Sequence, residues 1–436
     1  MAITNRRLRQ SRPFGLILFI GSVALLAFSA LTAQAQLSTP DHADTSEQER
    51  VKDVGDILRS LLKKSAPKKE ESPSSVAFLP SLGYNPSFGF VIGGKVTAGR
   101  QYGDAATTAY SVFGLEALYT SKSILTAQAR HNIFTTGNQW NFQGHWQLAR
   151  FGLVDYGIGT GKNTSRENRF IINEFPLQNG EGAFPIRFTY IRLTEKLYRK
   201  IGAHTYMGGG VSMDIRAQIA DEKQAAGLET PHYLYSLKNG FNPTRYSANG
   251  LLLAFQYNTR EHPIRAYDGI YADFALRVNQ RWLGSTKNAV QLVYDFRKYW
   301  SLSQQNPEHV LAFWHWASYR LSGTLPYLEL PATGYDTYAR SGRAYTIGNF
   351  KGLSYGYFET EYRFPITRNK LLSGVCFVNA QSASEDDVNL FRFWKTGAGV
   401  GLRVLFQKQS RTTLCIDFAQ GNNGAKGFFF GLGEVF

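Results

Sequence analysis

Residues with chemical potential are sparse in this chain. Gly157-Ile-Gly-Thr-Gly-Lys-Asn-Thr-Ser165 carries the glycines, lysine and hydroxyls of a phosphate-cradling loop. Asn163 separates Lys162 from the hydroxyl and the first glycine is misplaced, so the segment reads as a glycine-rich connection. The eight histidines show no His-Glu-x-x-His spacing, and two cysteines cannot form a four-cysteine zinc site. Cys376 shares an outward face with Val378 whereas Cys415 points inward from a non-adjacent strand, which argues against a disulfide. No catalytic centre, metal site or cofactor follows from these residues. What does recur is charge and amide chemistry on one side of alternating segments, including Arg130, Asp273, Arg277, Arg403 and Asp417.

The elements that must position those groups have period two. Trp140, Phe142, Trp146 and Leu148 share a face with Gly144 between them, and Asn141, Gln143, His145 and Gln147 hold the other. Ala398, Val400, Leu402, Val404 and Phe406 alternate with Gly399, Gly401, Arg403 and Leu405; Leu414, Ile416 and Phe418 alternate with Thr413, Cys415 and Asp417. An apolar face opposite a small and polar one, over roughly 10 to 14 residues, suits a tilted strand crossing a bilayer around a wet or side-chain-filled lumen. The wall has to close, because an open edge in hydrocarbon leaves amides unpaired at several kcal/mol each.

The composition agrees. The chain has 436 residues, 43% hydrophobic and 14% aromatic, with 42 glycines and only three methionines. Arg6, Arg7, Arg9 and Arg12 precede an apolar run, Phe14 to Phe28, and Ala33-Gln34-Ala35, which reads as a secretory signal peptide over residues 1–35. No later stretch of about 18 apolar residues recurs, so helical spans are excluded and a barrel is not. The formal charge of +15 is then met in the cell envelope, with outer-membrane lipids as partners and no nucleic acid. Residues 36–75 read as a periplasmic linker, within which Val51, Val54, Ile57, Leu58, Leu61 and Leu62 place a short amphipathic helix over Glu49–Lys64.

Residues 76–436 divide into sixteen alternating segments, from Val76–Leu82 to Gly427–Phe436. The expected fold is all-β, a 16-stranded antiparallel transmembrane β-barrel with a short N-terminal periplasmic tether. Starting the count in the periplasm puts the longest connections, Phe151–Ile186, Ala217–Asn249, Ser322–Gly352 and Ser382–Phe393, on the outside and the brief ones inside. The last segment, with Phe428, Phe430, Leu432 and Phe436 expected on one face, is similar to the terminal targeting strand by which outer-membrane barrels are recognised for insertion.

Four segments, Ser341–Lys351, Glu359-Thr-Glu-Tyr-Arg-Phe-Pro-Ile366, Phe377-Val-Asn-Ala380 and Arg411–Phe418, carry a resemblance to a known family. With them the chain resembles the BamA/TamA-type outer-membrane assembly superfamily, the bacterial surface antigen family. Asn258-Thr-Arg-Glu-His-Pro263 is similar to a periplasmic turn of that family, and Tyr84-Asn-Pro-Ser-Phe-Gly89 to its barrel start. The resemblance implies that the sixth external connection, Ser322–Gly352, folds back into the barrel and that Arg343 of its Arg343-Ala344-Tyr345 is held by a carboxylate on the inner wall, Glu361. Asn379 stands where the family usually has an Asp, Ala344 where it has a Gly, and Arg340 is a second possible anchor. The short linker resembles the branch without POTRA domains.

The function expected is a non-enzymatic, integral outer-membrane barrel, in the cell outer membrane. It would take part in, or scaffold, outer-membrane protein or lipid assembly through a weak seam between first and last strands, loosened by Gly427, Gly431 and Gly433. Its partners would be envelope assembly or surface proteins, and the barrel-assembly machinery would insert it. The alternatives are a passive pore for anionic solutes, motivated by Arg130, Arg277 and Arg403, and a barrel-embedded lipid-modifying enzyme.

Overall fold

The computed structural model describes residues 51–61, 74–85, 87–104, 107–160, 183–385, 389–408 and 411–436. The signal segment, most of the linker and Gly161–Ser165 of the glycine-rich connection lie outside them. Period-two patterning becomes a closed antiparallel barrel in which each strand pairs with its sequence neighbours and β1 meets β16. In chain order the strands are β1 Ser74–Asn85, β2 Gly89–Arg100, β3 Ser111–Thr120, β4 Leu125–Phe134, β5 Trp140–Asp155, β6 Phe184–Lys200, β7 Thr205–Asp221 and β8 Tyr246–Asn258. The second half comprises β9 Gly269–Asn279, β10 Ala289–Ser301, β11 Val310–Gly323, β12 Tyr355–Pro365, β13 Leu372–Ala383, β14 Lys395–Gln407, β15 Thr412–Gly421 and β16 Lys426–Leu432. Among the described residues three α-helices accompany them: α1 Val54–Leu61, α2 Glu222–Ala225 and α3 Pro231–Lys238. No described helix is long and apolar enough to cross a membrane.

The alternation sorts as physics requires. Outward positions such as Leu148, Leu253, Phe274, Val378, Val400 and Phe418 are exposed, whereas inward Glu359, Glu361, Arg363 and Arg403 are buried. Cys376 is exposed and Cys415 buried. A wall that hides charge and shows hydrocarbon is inverted relative to a soluble sandwich, and fits a lipid surround.

Two expectations about the ends are corrected. The first strand is longer than the expected Val76–Leu82: β1 runs opposite β2 along its whole length, from Ser74↔Arg100 to Asn85↔Gly89. The last one is shorter than the expected Gly427–Phe436. β16 ends at Leu432, and Gly433, at φ 85°, turns the chain inward. Phe436 therefore does not share the outward face of Phe428. It is 4% exposed, stacked on Trp314 with centroids 5.3 Å apart and beside Tyr299 at 6.2 Å, while Phe428 is 46% exposed. The buried Trp314 face offers an aromatic ring more contact than the strand edge does. Between β1 and β16 the described residues give one register pair, Tyr84↔Phe430.

Within the described residues the helix of the linker begins at Val54, after non-helical residues 51–53. Asp53 and Asp56 cap each other's backbone N–H at its start, at 2.8 and 3.2 Å. It sits beneath the β14–β15 turn, where Asp53 accepts from the Lys408 N–H at 3.1 Å and Asp56 pairs with Lys408 Nζ at 2.8 Å.

At the opposite end the connections form a cap. Leu325, Tyr327, Leu328 and Leu330 of the β11–β12 connection bury against Phe188 and Tyr190 of β6 and against Tyr235 of α3. Two buried ion pairs staple this apolar contact, Arg216–Glu329 at 2.7 Å and Lys351–Asp155 at 2.9 Å, and Tyr327 Oη donates to Asp155 at 2.8 Å.

Candidate functional site

The β11–β12 connection continues from that cap into the lumen. Room for it comes from β14, whose inward positions Gly397, Gly399 and Gly401 carry no side chain. A Cβ at Gly399 would lie 2.3 Å from the Phe377 ring, and one at Gly401 would lie 1.9 Å from Asp417 Oδ1. Into this trough the loop lays Arg343, its guanidinium carbon 3.3 Å from the centroid of Phe377.

Arg343 is 3% exposed and meets three carboxylates. Its Nη2 donates to Glu359 Oε1 and Glu361 Oε2, each at 2.5 Å, its Nε to Glu359 Oε2 at 3.2 Å, and its Nη1 to Asp417 Oδ2 at 3.1 Å. Glu359 and Glu361 lie two apart on β12 and so share its inward face. The charges continue along the wall. Arg363 pairs with Glu361 at 2.6 Å, Arg403 with Asp417 at 2.5 Å and with Glu434 at 2.8 Å, and Arg265 with Glu434 at 3.3 Å. Four buried guanidinium groups thus face four buried carboxylates, and Tyr357 Oη caps Glu359 at 2.5 Å. Such balance is needed here, because desolvating an unmatched charge costs several kcal/mol.

The structure brings the other residues singled out in the sequence to distinct places around this chain of charges. Asn379 does not touch the guanidinium; its Nδ2 donates to the Arg343 backbone carbonyl at 3.1 Å. The carboxylate expected to be missing there is supplied from β15 by Asp417. Ala344 holds φ 92°, a left-handed value that costs a non-glycine residue about 1–2 kcal/mol. Tyr345 Oη donates to the Thr396 carbonyl at 2.6 Å and accepts from Asn422 N–H at 2.7 Å. Arg340 grips the chain end instead of the wall, donating to the carbonyls of Leu432 (3.0 Å), Gly433 (2.8 Å) and Glu434. Phe430 lies at the seam, and Tyr84 packs on Phe428 at 6.0 Å.

Asp417 and Glu434 are the partners that sequence reasoning missed. The available signal was parity: Arg363, Arg403 and Asp417 all occupy inward positions of nearby strands. Also overlooked was Gly352-Leu353-Ser354-Tyr355-Gly356, which has the spacing of a hydrolase nucleophile elbow. Ser354 precedes a strand and not a helix, and its Oγ accepts from Arg320 N–H at 3.1 Å, so the strand-to-helix context that motif needs is missing.

Glu434 gives the site an acid dependence. Burial opposes its ionisation, but Arg403, Arg363 and Arg265 outweigh burial and hold the carboxyl well below the usual range. A depressed carboxyl stabilises the fold fully above its unfolded value of 4.5 and loses that contribution as pH falls toward the folded value. Glu434→Gln is expected to flatten the fall in heat-modifiable gel mobility as pH drops below 4.5, where that contribution begins to be lost. An unchanged pH profile would show that other carboxylates set it.

Comparison with known proteins follows from this geometry. The Omp85 superfamily domain matches residues 92–436. Among solved structures, BamA from Haemophilus ducreyi lacking POTRA domains 1-3 aligns over 90% of this chain and 82% of its own, at 14% identity and a TM-score of 0.54. CdiB from Escherichia coli aligns over 85% and 63% respectively, at 8% identity and TM-score 0.52. CdiB from Acinetobacter baumannii aligns over 84% and 60%, at 10% identity and TM-score 0.50. The search of curated proteins returns no match.

Proposed function

Because the chain belongs to the Omp85 superfamily, we propose that this outer-membrane barrel takes part in assembling outer-membrane proteins or lipids. Its working parts would be a seam that can open and an internal connection that keeps the rest of the wall in shape. The observation that carries this reading is the contrast around the barrel. Among the described residues one register pair joins β1 to β16, whereas β5 runs opposite β6 from Trp140↔Arg199 to Asp155↔Phe184. A ladder that short leaves edge amides whose best alternative partner in hydrocarbon is an incoming strand.

Opening one seam loosens the strands on either side unless something else holds them. Arg343 ties β12 to β15 through Glu359, Glu361 and Asp417, and Arg340 ties the same connection to the carbonyls at the end of β16 and just beyond it. The connection would act as an internal brace, with Arg343 as the residue that holds it to the wall. Partners of this kind are envelope or surface proteins.

The anion-pore reading draws less support. Of the three arginines that motivated it, Arg403 is fully buried between Asp417 and Glu434, and Arg277 pairs with Asp214 at 2.9 Å. Arg130 alone of the three makes no ion pair among the described residues. Deleting the gene is expected to alter the outer-membrane protein complement or its lipid asymmetry. Quantitative proteomics and lipid analysis that find both unchanged would remove the proposal.

A further inference from the structure

The barrel carries an ionisable pair on its lipid side. Paired residues of an antiparallel sheet share a face, and one row runs Phe113↔His131↔Gly144↔Glu195↔Val211↔Leu251 across β3 to β8. Val211 is 37% and Leu251 43% exposed; the flanking rows carry exposed Trp146, Phe142 and Leu197. The row is therefore outward. His131 Nε2 meets Glu195 Oε1 at 3.1 Å above Gly144, and Trp146 Nε1 donates to the same oxygen at 2.5 Å. A Cβ at Gly144 would lie 2.0 Å from His131 Nε2 and 2.7 Å from Glu195 Oε1, so only glycine allows the bridge.

The level of this bridge follows from the strand. Arg199 lies over the Trp140 ring at 5.1 Å, a cation and an aromatic suited to the membrane interface. Glu195 is four residues before Arg199 on β6, about 10 Å deeper for a tilted strand. Ionisable groups in hydrocarbon are costly and mark sites of function. The Glu195 side chain remains 32% exposed, with both of its observed bonds on one oxygen. No serine, threonine or cysteine stands next to His131 in the row or along its strand's outward face, where Ala129 and Ile133 flank it, so the pair has no nucleophile to activate.

We propose that this carboxylate is a lateral docking point for a membrane-spanning segment of another protein, one presenting a cationic side chain at that depth. A lipid ammonium stays in the headgroup layer, where Arg199 already stands. A second copy would bring carboxylate against carboxylate. A transmembrane segment can carry its donor at any depth, and Gly144 lowers the wall for close approach.

The test uses the full chain in phosphatidylcholine vesicles with a leucine-based transmembrane peptide bearing one lysine at that level, read by Förster transfer. The lysine peptide is expected to associate about five-fold more strongly than its all-leucine counterpart. Glu195→Leu should abolish the preference and Glu195→Gln should reduce it, both at unchanged heat-modifiable mobility. If the leucine variant does not insert, the glutamine variant decides, since it keeps an oxygen for Trp146. Equal association of both peptides, a preference that survives Glu195→Leu, or one undiminished by Glu195→Gln overturns the proposal. So does a preference lost when phosphatidylethanolamine replaces phosphatidylcholine, which would make the lipid ammonium the occupant.

Discussion

Arg343→Ala is expected to destabilise the barrel by about 3–5 kcal/mol, the cost of leaving a buried partner charge unmatched. Glu359 and Glu361 would then stand 1% and 0% exposed without their shared donor. Arg363 would still neutralise Glu361, but Glu359 would keep only the Tyr357 hydroxyl. The connection would lose its hold in the trough of β14, and the heat-induced shift in gel mobility should move to lower temperature. Arg343→Lys should fall between wild type and alanine, because an ammonium keeps the charge but cannot span three carboxylates as the fork does. A variant with wild-type mobility and surface level would show that the loop is held by its apolar cap alone.

Closing the seam covalently should abolish activity while leaving the fold intact. Tyr84 and Phe430 are Cα partners, and antiparallel partners lie about 4.5–5.5 Å apart, within reach of a disulfide. Tyr84→Cys combined with Phe430→Cys is expected to cross-link under oxidising conditions. Cells relying on that form should show the outer-membrane defects of the deletion, with recovery on adding a thiol reductant. Full function in the cross-linked state would rule out opening at β1–β16. The pair of tests separates the two parts: the arginine variant weakens the brace, and the cross-link stops the movement.

The wall was legible in the sequence because each strand reports its own orientation. Alternation at Trp140–Leu148 or Leu414–Phe418 needs no knowledge of distant residues. The outward exposure of Cys376 and inward burial of Cys415 followed from parity alone. The placement of Arg343 in a connection able to enter the lumen came from resemblance together with strand order. Its partners were less accessible. The resemblance pointed to Glu361 through its motif, whereas Asp417 lies 74 residues from Arg343 and reaches it only because Gly401, on the neighbouring strand, has no side chain.

The end of the chain shows the same limit from the other side. Phe428, Phe430 and Phe436 have the parity of one outward face, and the sequence offers no reason to break it except Gly433. The inward turn depends on what waits inside: the Trp314 face for Phe436, Arg403 and Arg265 for Glu434, and Arg340 for the freed carbonyls. Local patterning by itself determined that this chain makes a sixteen-stranded wall with an oily outside, because face alternation is a property of each strand separately. Only the tertiary structure decided which inward charges meet, how firmly the first and last strands join, and where an ionisable bridge faces lipid. Those outcomes rest on register between strands and on the space that neighbouring glycines leave, which no single strand encodes.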